Sequence, residues 1–392
     1  MTKRYTTPDQ GTLDWHIPLN ENFDQLNRDI PVLDAEANRD THAPHEGLLF
    51  IATDTGRRYV GDGEAWTELP YPTDGDTSTE TTTDTSGPTA DIVVSRTSDP
   101  VLAERDGSEL ASGDAESVLE AVVSDLSSGE TVHIESGTYV ISSMKILTGL
   151  SDVTWRSEGT IRLDDGGSSV KSILRIDSCE NVLVDGGTYD FDKQNNTDDG
   201  LYGTQFILSP RNSSGVEIKN TRLLNAFNGF SGGNGISDLY IHDNYMQTSD
   251  ERGVYHSGAS KNIEVGNNTM RDVRSGALRS NESPTGWYIH DNDIEMRDTF
   301  GPVYLFEGGC SDITIERDTA ICRGSGSIWW SNNVDYHGNP EQLTIRDGHY
   351  EAPDGPMDFA VLRPADSADT SGITFSGNDL VNIEQAYPEA HS

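Results

Sequence analysis

The chain has 392 residues, 66 of them acidic and 27 basic, for a formal charge of −39. So acidic a surface excludes nucleic acid and anionic membranes as direct partners. It also keeps a protein hydrated where salt screens charge over about 3 Å, as at 1 M, and this is the composition of a protein from an extreme halophile. The 39 glycines and a regular apolar pattern exclude a disordered acidic tail. Three cysteines, Cys179, Cys310 and Cys322, form no disulfide framework and read as small buried thiols.

Met1 to Gly11 lacks the apolar core of a secretion signal, and no stretch is long enough to span a bilayer. The expectation is assembly inside a cell, with any exit by lysis as part of a particle or by an unusual route. Residues 1–70 read as a compact module. Asn20 caps a short helix through Ile30, and Gly47-Leu-Leu-Phe-Ile-Ala-Thr pairs with Arg58-Tyr-Val-Gly across Asp54-Thr-Gly-Arg, with Trp66 closing a small core. That is too little for an enzyme and suits attachment or oligomerisation. Residues 71–90, dense in Thr, Ser, Asp, Gly and Pro, form a linker, because so few apolar groups cannot offset the entropy of ordering.

Residues 91–392 form the large domain. Asp114 starts an amphipathic helix whose Val118, Leu119, Val122 and Leu126 share a face. The run Gly129-Glu-Thr-Val-His-Ile-Glu-Ser-Gly-Thr-Tyr-Val-Ile follows. A helix and then G-x-x-V-x-I-x-x-G-x-Y-x-I resembles the entry to pectate-lyase-like β-helix proteins. The resemblance implies that this helix covers the open first coil.

The remainder repeats itself. An apolar-x-apolar string followed by Asn, Asp or Gly recurs as Val216-Glu-Ile, Leu239-Tyr-Ile, Ile263-Glu-Val, Tyr288-Ile-His, Ile313-Thr-Ile, Leu343-Thr-Ile and Ile373-Thr-Phe. The residues before these strings are separated by 23, 24, 25, 25, 30 and 30 positions. Such a period fits one coil of three short strands and three turns, with alternate residues facing the axis and Asn, Asp and Gly in left-handed turn positions. A leucine-rich repeat would need an asparagine ladder and a helical segment, and neither is evident. The fold class is therefore all-β, a right-handed parallel β-helix with an N-terminal capping helix, behind a small α+β module.

A second recurrent strand reads Phe206-Ile-Leu-Ser, Val254-Tyr-His-Ser, Ala277-Leu-Arg-Ser, Tyr304-Leu-Phe-Glu, Ile328-Trp-Trp-Ser and Ala360-Val-Leu-Arg. Aligned by their last residues, Ile207, Tyr255, Leu278, Leu305, Trp329 and Val361 point inward. His256, Arg279, Phe306 and Trp330, with Tyr304 beside them, then form an outward strip. A slip of one residue would exchange the faces. Flat apolar rings with polar neighbours suit sugar rings, so His256, Arg279, Tyr304, Phe306 and Trp330 are the candidate glycan-binding residues. The competing reading packs them under a loop or against another subunit.

Catalytic candidates are Glu307, Glu282 and Asp250 for a hydrolase, which needs two carboxylates across the scissile bond, and Arg279 with His256 for a lyase. Glu251 and Asp298 lie near the same strip. Asp291-Asn-Asp293 and Asp190-Phe-Asp192 read as turns rather than cation sites. With no phosphate-cradling loop and no zinc spacing, neither cofactor nor metal is expected.

Trp15-His-Ile-Pro-Leu-Asn-Glu-Asn-Phe, Gly47-Leu-Leu-Phe-Ile-Ala-Thr-Asp-Thr-Gly and Gly61-Asp-Gly-Glu-Ala-Trp resemble the attachment regions of tail-fibre and tailspike proteins of tailed viruses. The resemblance implies a homotrimer on a haloarchaeal virion, bound to other virion proteins through residues 1–70 and to a cell-surface glycan through the rod. Two alternatives stand beside this reading. One is a polysaccharide lyase or glycoside hydrolase, on the virion or secreted. The other is a structural decoration whose aromatic strip lies between subunits.

Overall fold

The computed structural model describes residues 32–34, 36–44, 49–52, 58–61, 63, 65–68, 90–96, 100–166, 170–196, 205–258, 260–281, 285–297, 302–306, 311–323, 327–330, 341–353, 357–363 and 372–385. The chain divides into two compact units, Met1–Thr85 and Ser86–Ser392.

In the first unit Leu49–Ala52 and Arg58–Gly61 form the expected antiparallel hairpin. Trp66–Glu68 adds to one edge and Val32–Asp34 to the other. Phe50 and Tyr59 are buried and Trp66 packs on them, with the Phe50 and Trp66 rings 5.6 Å apart. The indole Nε1 of Trp66 donates to the His42 carbonyl at 3.2 Å. The expected helix at 20–30 lies outside the described residues.

The second unit is a right-handed parallel β-helix. Its helix, α1 (Ala115–Asp125), begins where expected: the Asp114 carboxylate accepts from the Ser117 amide at 2.8 Å. Val118, Leu119 and Val122 are fully buried and join the single large core. Each such side chain contributes roughly 1.5–3 kcal/mol by leaving water. Glu116 fastens the cap to the first coil, accepting from Lys145 Nζ at 2.6 Å and from the Ser142 amide at 2.7 Å.

Each coil has three faces. Strands such as Ser237–His242, Lys261–Gly266 and Thr285–His290 stack in parallel as the first. Tyr245–Ser249, Thr269–Val273 and Asp293–Met296 belong to the second. The third is a ten-stranded sheet running from Lys145–Thr148 to Ile383–Gln385. On the first face Val216, Leu239, Ile263, Trp287, Ile313 and Leu343 occupy one inward column. Trp287, not Tyr288, is therefore the inward residue of its coil. The phenol of Tyr288 stands outside, because the string read there began one residue late.

The passage from first to second face takes two residues. One is left-handed (Asp243, Asn267, Asp291 and Arg317, at φ between 53° and 58°). The next, Asn244, Asn268, Asn292 or Asp318, turns inward and is buried. A buried amide is costly unless bonded, and these bond to one another. Asn244 N donates to Asn268 Oδ1 at 3.1 Å, Asn268 N to Asn292 Oδ1 at 3.0 Å, and Asn292 N to Asp318 Oδ1 at 2.8 Å. The chain thus does contain an asparagine ladder, inside the β-helix turn, contrary to the expectation from sequence. Asp190 and Asp291 serve turns, as expected: Asp190 accepts from the Asp192 amide, and Asp291 has φ 56°. Cys179 and Cys322 are buried thiols, and burial pushes Cys322 up to about 12; Cys310 lies outside the described residues.

Candidate functional site

The third face is where the sequence placed the aromatic strip, and the register there differs from the alignment by last residues. Val254 pairs with Leu278, Leu278 with Tyr304, and Tyr255 with Arg279. Arg279 pairs with Leu305, and Ser280 with Phe306. The 277–280 string is therefore shifted by one residue relative to its neighbours, and on a strand such a shift exchanges the faces.

Three of the candidate glycan residues are consequently core. His256 is fully buried, 6.5 Å from Trp287, with Nε2 3.3 Å from Ser231 Oγ. Burial drives its pKa down to about 3, so the imidazole is neutral and structural. Phe306 packs edge-on against Trp287 at 5.4 Å. Tyr304 points inward and donates to Asp318 Oδ2 at 2.6 Å. Tyr255 and Leu305, expected inside, belong to the outward column with Arg279. Trp330 continues that column by backbone register, opposite Leu305 and Arg363, and its side chain is outside what the structure describes.

What the outward surface does assemble is a basic, aromatic patch around Tyr255. The Phe206 ring lies parallel to that of Tyr255, centroids 5.8 Å apart and 13° between planes. The strand between them contributes Gly232, where a Cβ would sit 2.4 Å from the Phe206 ring; glycine is what lets the ring lie flat. The Arg252 guanidinium stands 4.3 Å from the Tyr255 centroid and that of Arg279 5.8 Å, both within cation–π range. Arg252 is 1% exposed and Arg279 8%, while Tyr255 keeps a partly open edge. Further along this surface lie Arg175 and Arg211; burial and the proximity of Arg175 lower the Arg211 pKa. Among the described residues, these four arginines face Asp177 and Glu251, a positive local balance in a chain whose total is −39.

Asp250 borders the patch and is held by two cations. Its Oδ1 accepts from Lys193 Nζ at 2.6 Å and from Arg297 at 2.7 Å. Burial acts to raise its pKa, but the two cations outweigh that and hold it below the ordinary carboxylate range. A carboxylate so held is a poor proton donor for leaving-group protonation. Glu251 reaches Arg252 at 3.6 Å. Glu307, Glu282 and Asp298 lie outside the described residues. Among the described residues no group of three or more His, Cys, Asp or Glu side chains forms a metal cage.

Phe206 and Arg252 were not foreseen as site residues. Phe206 was read only as the start of a strand, and Arg252 lies in a turn before one, so their meeting over Tyr255 depends on coil stacking.

No protein-family model and no curated protein matches the sequence. Solved structures do match in fold. The catalytic domain of a GH87 α-1,3-glucanase in complex with nigerose superposes with TM-score 0.52 at 14% identity, over 80% of this chain and 56% of that one. A Family 28 exopolygalacturonase from Yersinia enterocolitica gives TM-score 0.47 at 13% identity, over 72% of this chain and 74% of its own. ORF18 of Geobacillus virus E2 gives 0.41 at 12%, over 89% and 74%. At these identities the likeness is one of fold, the right-handed parallel β-helix, and it assigns no activity.

Proposed function

We propose that this protein is a virion fibre or spike protein that binds glycans on the surface of a haloarchaeal host, through the outer surface of the third face. The observation that carries the reading is the Tyr255 patch. The Tyr255 ring is packed by Phe206 and Arg252 and presents its open edge, and the half-buried Arg175 and Arg211 along the same surface offer cationic hydrogen-bond donors. Arginines of this kind favour sugars bearing carboxylate or sulfate groups. The fold supports a sugar ligand, since the α-1,3-glucanase domain of similar architecture holds nigerose. The small first unit suits docking to other virion proteins, and a homotrimer would multiply weak grooves into avid attachment. In this reading the protein is assembled in the host cytoplasm and resides in the virion.

A polysaccharide lyase is the second reading, favoured by the Arg279 and Arg252 guanidinium groups both lying against Tyr255, since a lyase uses a base beside a charge neutraliser. Incubation of the purified protein with haloarchaeal envelope glycans in near-saturating salt separates the two. Retention without release of shortened or unsaturated sugars supports the adhesin, and release lost in Arg279→Ala makes it an enzyme. Neither retention nor release, with the patch protected between chains, leaves the structural decoration.

A further inference from the structure

The outer surface of the first face carries a motif that the Tyr255 patch does not use. Leu239-Tyr-Ile-His-Asp-Asn recurs two coils later as Trp287-Tyr-Ile-His-Asp-Asn. The register stacks Glu217, Tyr240, Glu264 and Tyr288 in one outward column, and Lys219, His242, Gly266 and His290 in the next. Neighbouring strands lie about 4.8 Å apart, so the two tyrosine–histidine pairs repeat at roughly 10 Å. Tyr240 and Tyr288 are 42% and 36% exposed; with Ile146 they are the exposed large apolar side chains among the described residues.

The side chains around them are held in place. His242 lies between Glu217, 3.0 Å from Nε2, and Asp243, 2.7 Å from Nδ1. His290 lies between Glu264 at 3.3 Å and Asp291 at 2.8 Å. The Tyr288 ring stacks on His290 with centroids 4.4 Å apart, and its hydroxyl donates to Glu316 at 2.6 Å. Gly266 makes this possible: a Cβ there would sit 2.4 Å from the His290 ring.

We propose that Tyr240 and Tyr288, flanked by Glu217 and Glu264, form a second glycan-binding stripe that takes an extended, uncharged polysaccharide along the β-helix axis. Each tyrosine offers a ring face to a sugar, and the two-coil spacing engages alternate sugar rings. The carboxylates at the edges accept hydrogen bonds from hydroxyls. The repeat itself argues for a periodic ligand. A second copy or another protein would need a contiguous apolar patch of several hundred Å², whereas here a charged rung separates the tyrosines. Glu217, Glu264, Asp243 and Asp291 outnumber Lys219, which pairs with Glu217, and Arg317, which pairs with Asp291, so the stripe stays net negative and disfavours nucleic acid and acidic glycans. The stripe is independent of the Tyr255 patch and differs from it in charge preference.

The test is titration in concentrated potassium chloride with hexamers of β-1,4-linked glucose and N-acetylglucosamine, using a hexauronate as counter-probe, read by saturation-transfer NMR. The expected result is binding of a neutral hexamer that weakens at least tenfold in Tyr240→Ala/Tyr288→Ala. That binding should persist in Tyr240→Phe/Tyr288→Phe and in Arg279→Ala. Circular dichroism checks that the double alanine variant is folded. The proposal is overturned if neither neutral hexamer binds, or if the double alanine variant binds as the parent does. It is also overturned if sedimentation shows that variant dissociating an oligomer, which would make the stripe an interface between copies. A loss of hexauronate retention in Arg279→Ala alone would bear on the third face and leave the stripe untouched.

Discussion

Replacing Asp318 by asparagine should change how stability depends on pH. Asp318 continues a buried column of Asn244, Asn268 and Asn292, with Oδ1 accepting twice from Asn292 and Oδ2 once from Tyr304. Burial, opposed by these hydrogen bonds, pushes its carboxyl up from 3.8 to about 6. The folded protein therefore holds this proton more tightly than the unfolded chain. The resulting stabilisation is whole below about pH 4 and is lost as pH rises through 6. A gap of that size corresponds to about 3 kcal/mol, at ~1.4 kcal/mol per pH unit. In Asp318→Asn there is no charge to desolvate. The new amide has a precedent in Asn292, whose Nδ2 donates to the Val265 carbonyl at 3.0 Å. A stranded Tyr304 hydroxyl would cost about 1–3 kcal/mol, but at every pH alike, so it cancels when two pH values are compared. The assay is urea unfolding followed by tryptophan fluorescence in concentrated salt. Between about pH 4 and about pH 7.5 the variant should gain about 2 kcal/mol relative to the parent, most of the full gap. A stability difference that is flat with pH, or that moves toward the parent, would refute the reasoning.

Three further outcomes follow from the packing. Asn268→Ala strips the acceptor from the Asn244 amide and should cost about 2–4 kcal/mol in urea melts, while Asn234→Ala, exposed and outside the left-handed positions, should cost under about 1 kcal/mol. Gly232→Ala drives a methyl into the Phe206 ring and should destabilise by about 1–3 kcal/mol; it should also weaken glycan retention, because Phe206 no longer lies against Tyr255. Leu119→Ala opens a cavity under the cap and should cost about 2–5 kcal/mol, seen as earlier protease cleavage near the first coil.

The architecture was legible because its signals are local. A capping Asp114 ahead of Val118, Leu119 and Val122, and strings such as Leu239-Tyr-Ile and Ile313-Thr-Ile, each carry their meaning within a few residues. The third face was misread because its strands differ in length: aligning 277–280 by its last residue turned Arg279 correctly outward but carried His256 and Phe306 out with it. Phe306 and His256 look like ligands in a string of letters and are core in three dimensions. The Asn and Asp residues that end the strand strings were visible as turn residues, yet the ladder of Asn244, Asn268 and Asn292 beside them arises only when successive coils stack at the spacing of hydrogen-bonded strands. For the same reason Phe206, Gly232, Arg252 and Tyr255, spread over three coils, become one patch only in the folded rod.

The most direct test of the central claim is retention on haloarchaeal envelope glycans in near-saturating salt, comparing the parent with Tyr255→Ala/Arg279→Ala. The account predicts that the double variant loses at least tenfold in retention while its circular dichroism and melting are kept. Retention equal to that of the parent in a folded double variant would contradict it and move the glycan site off the third face.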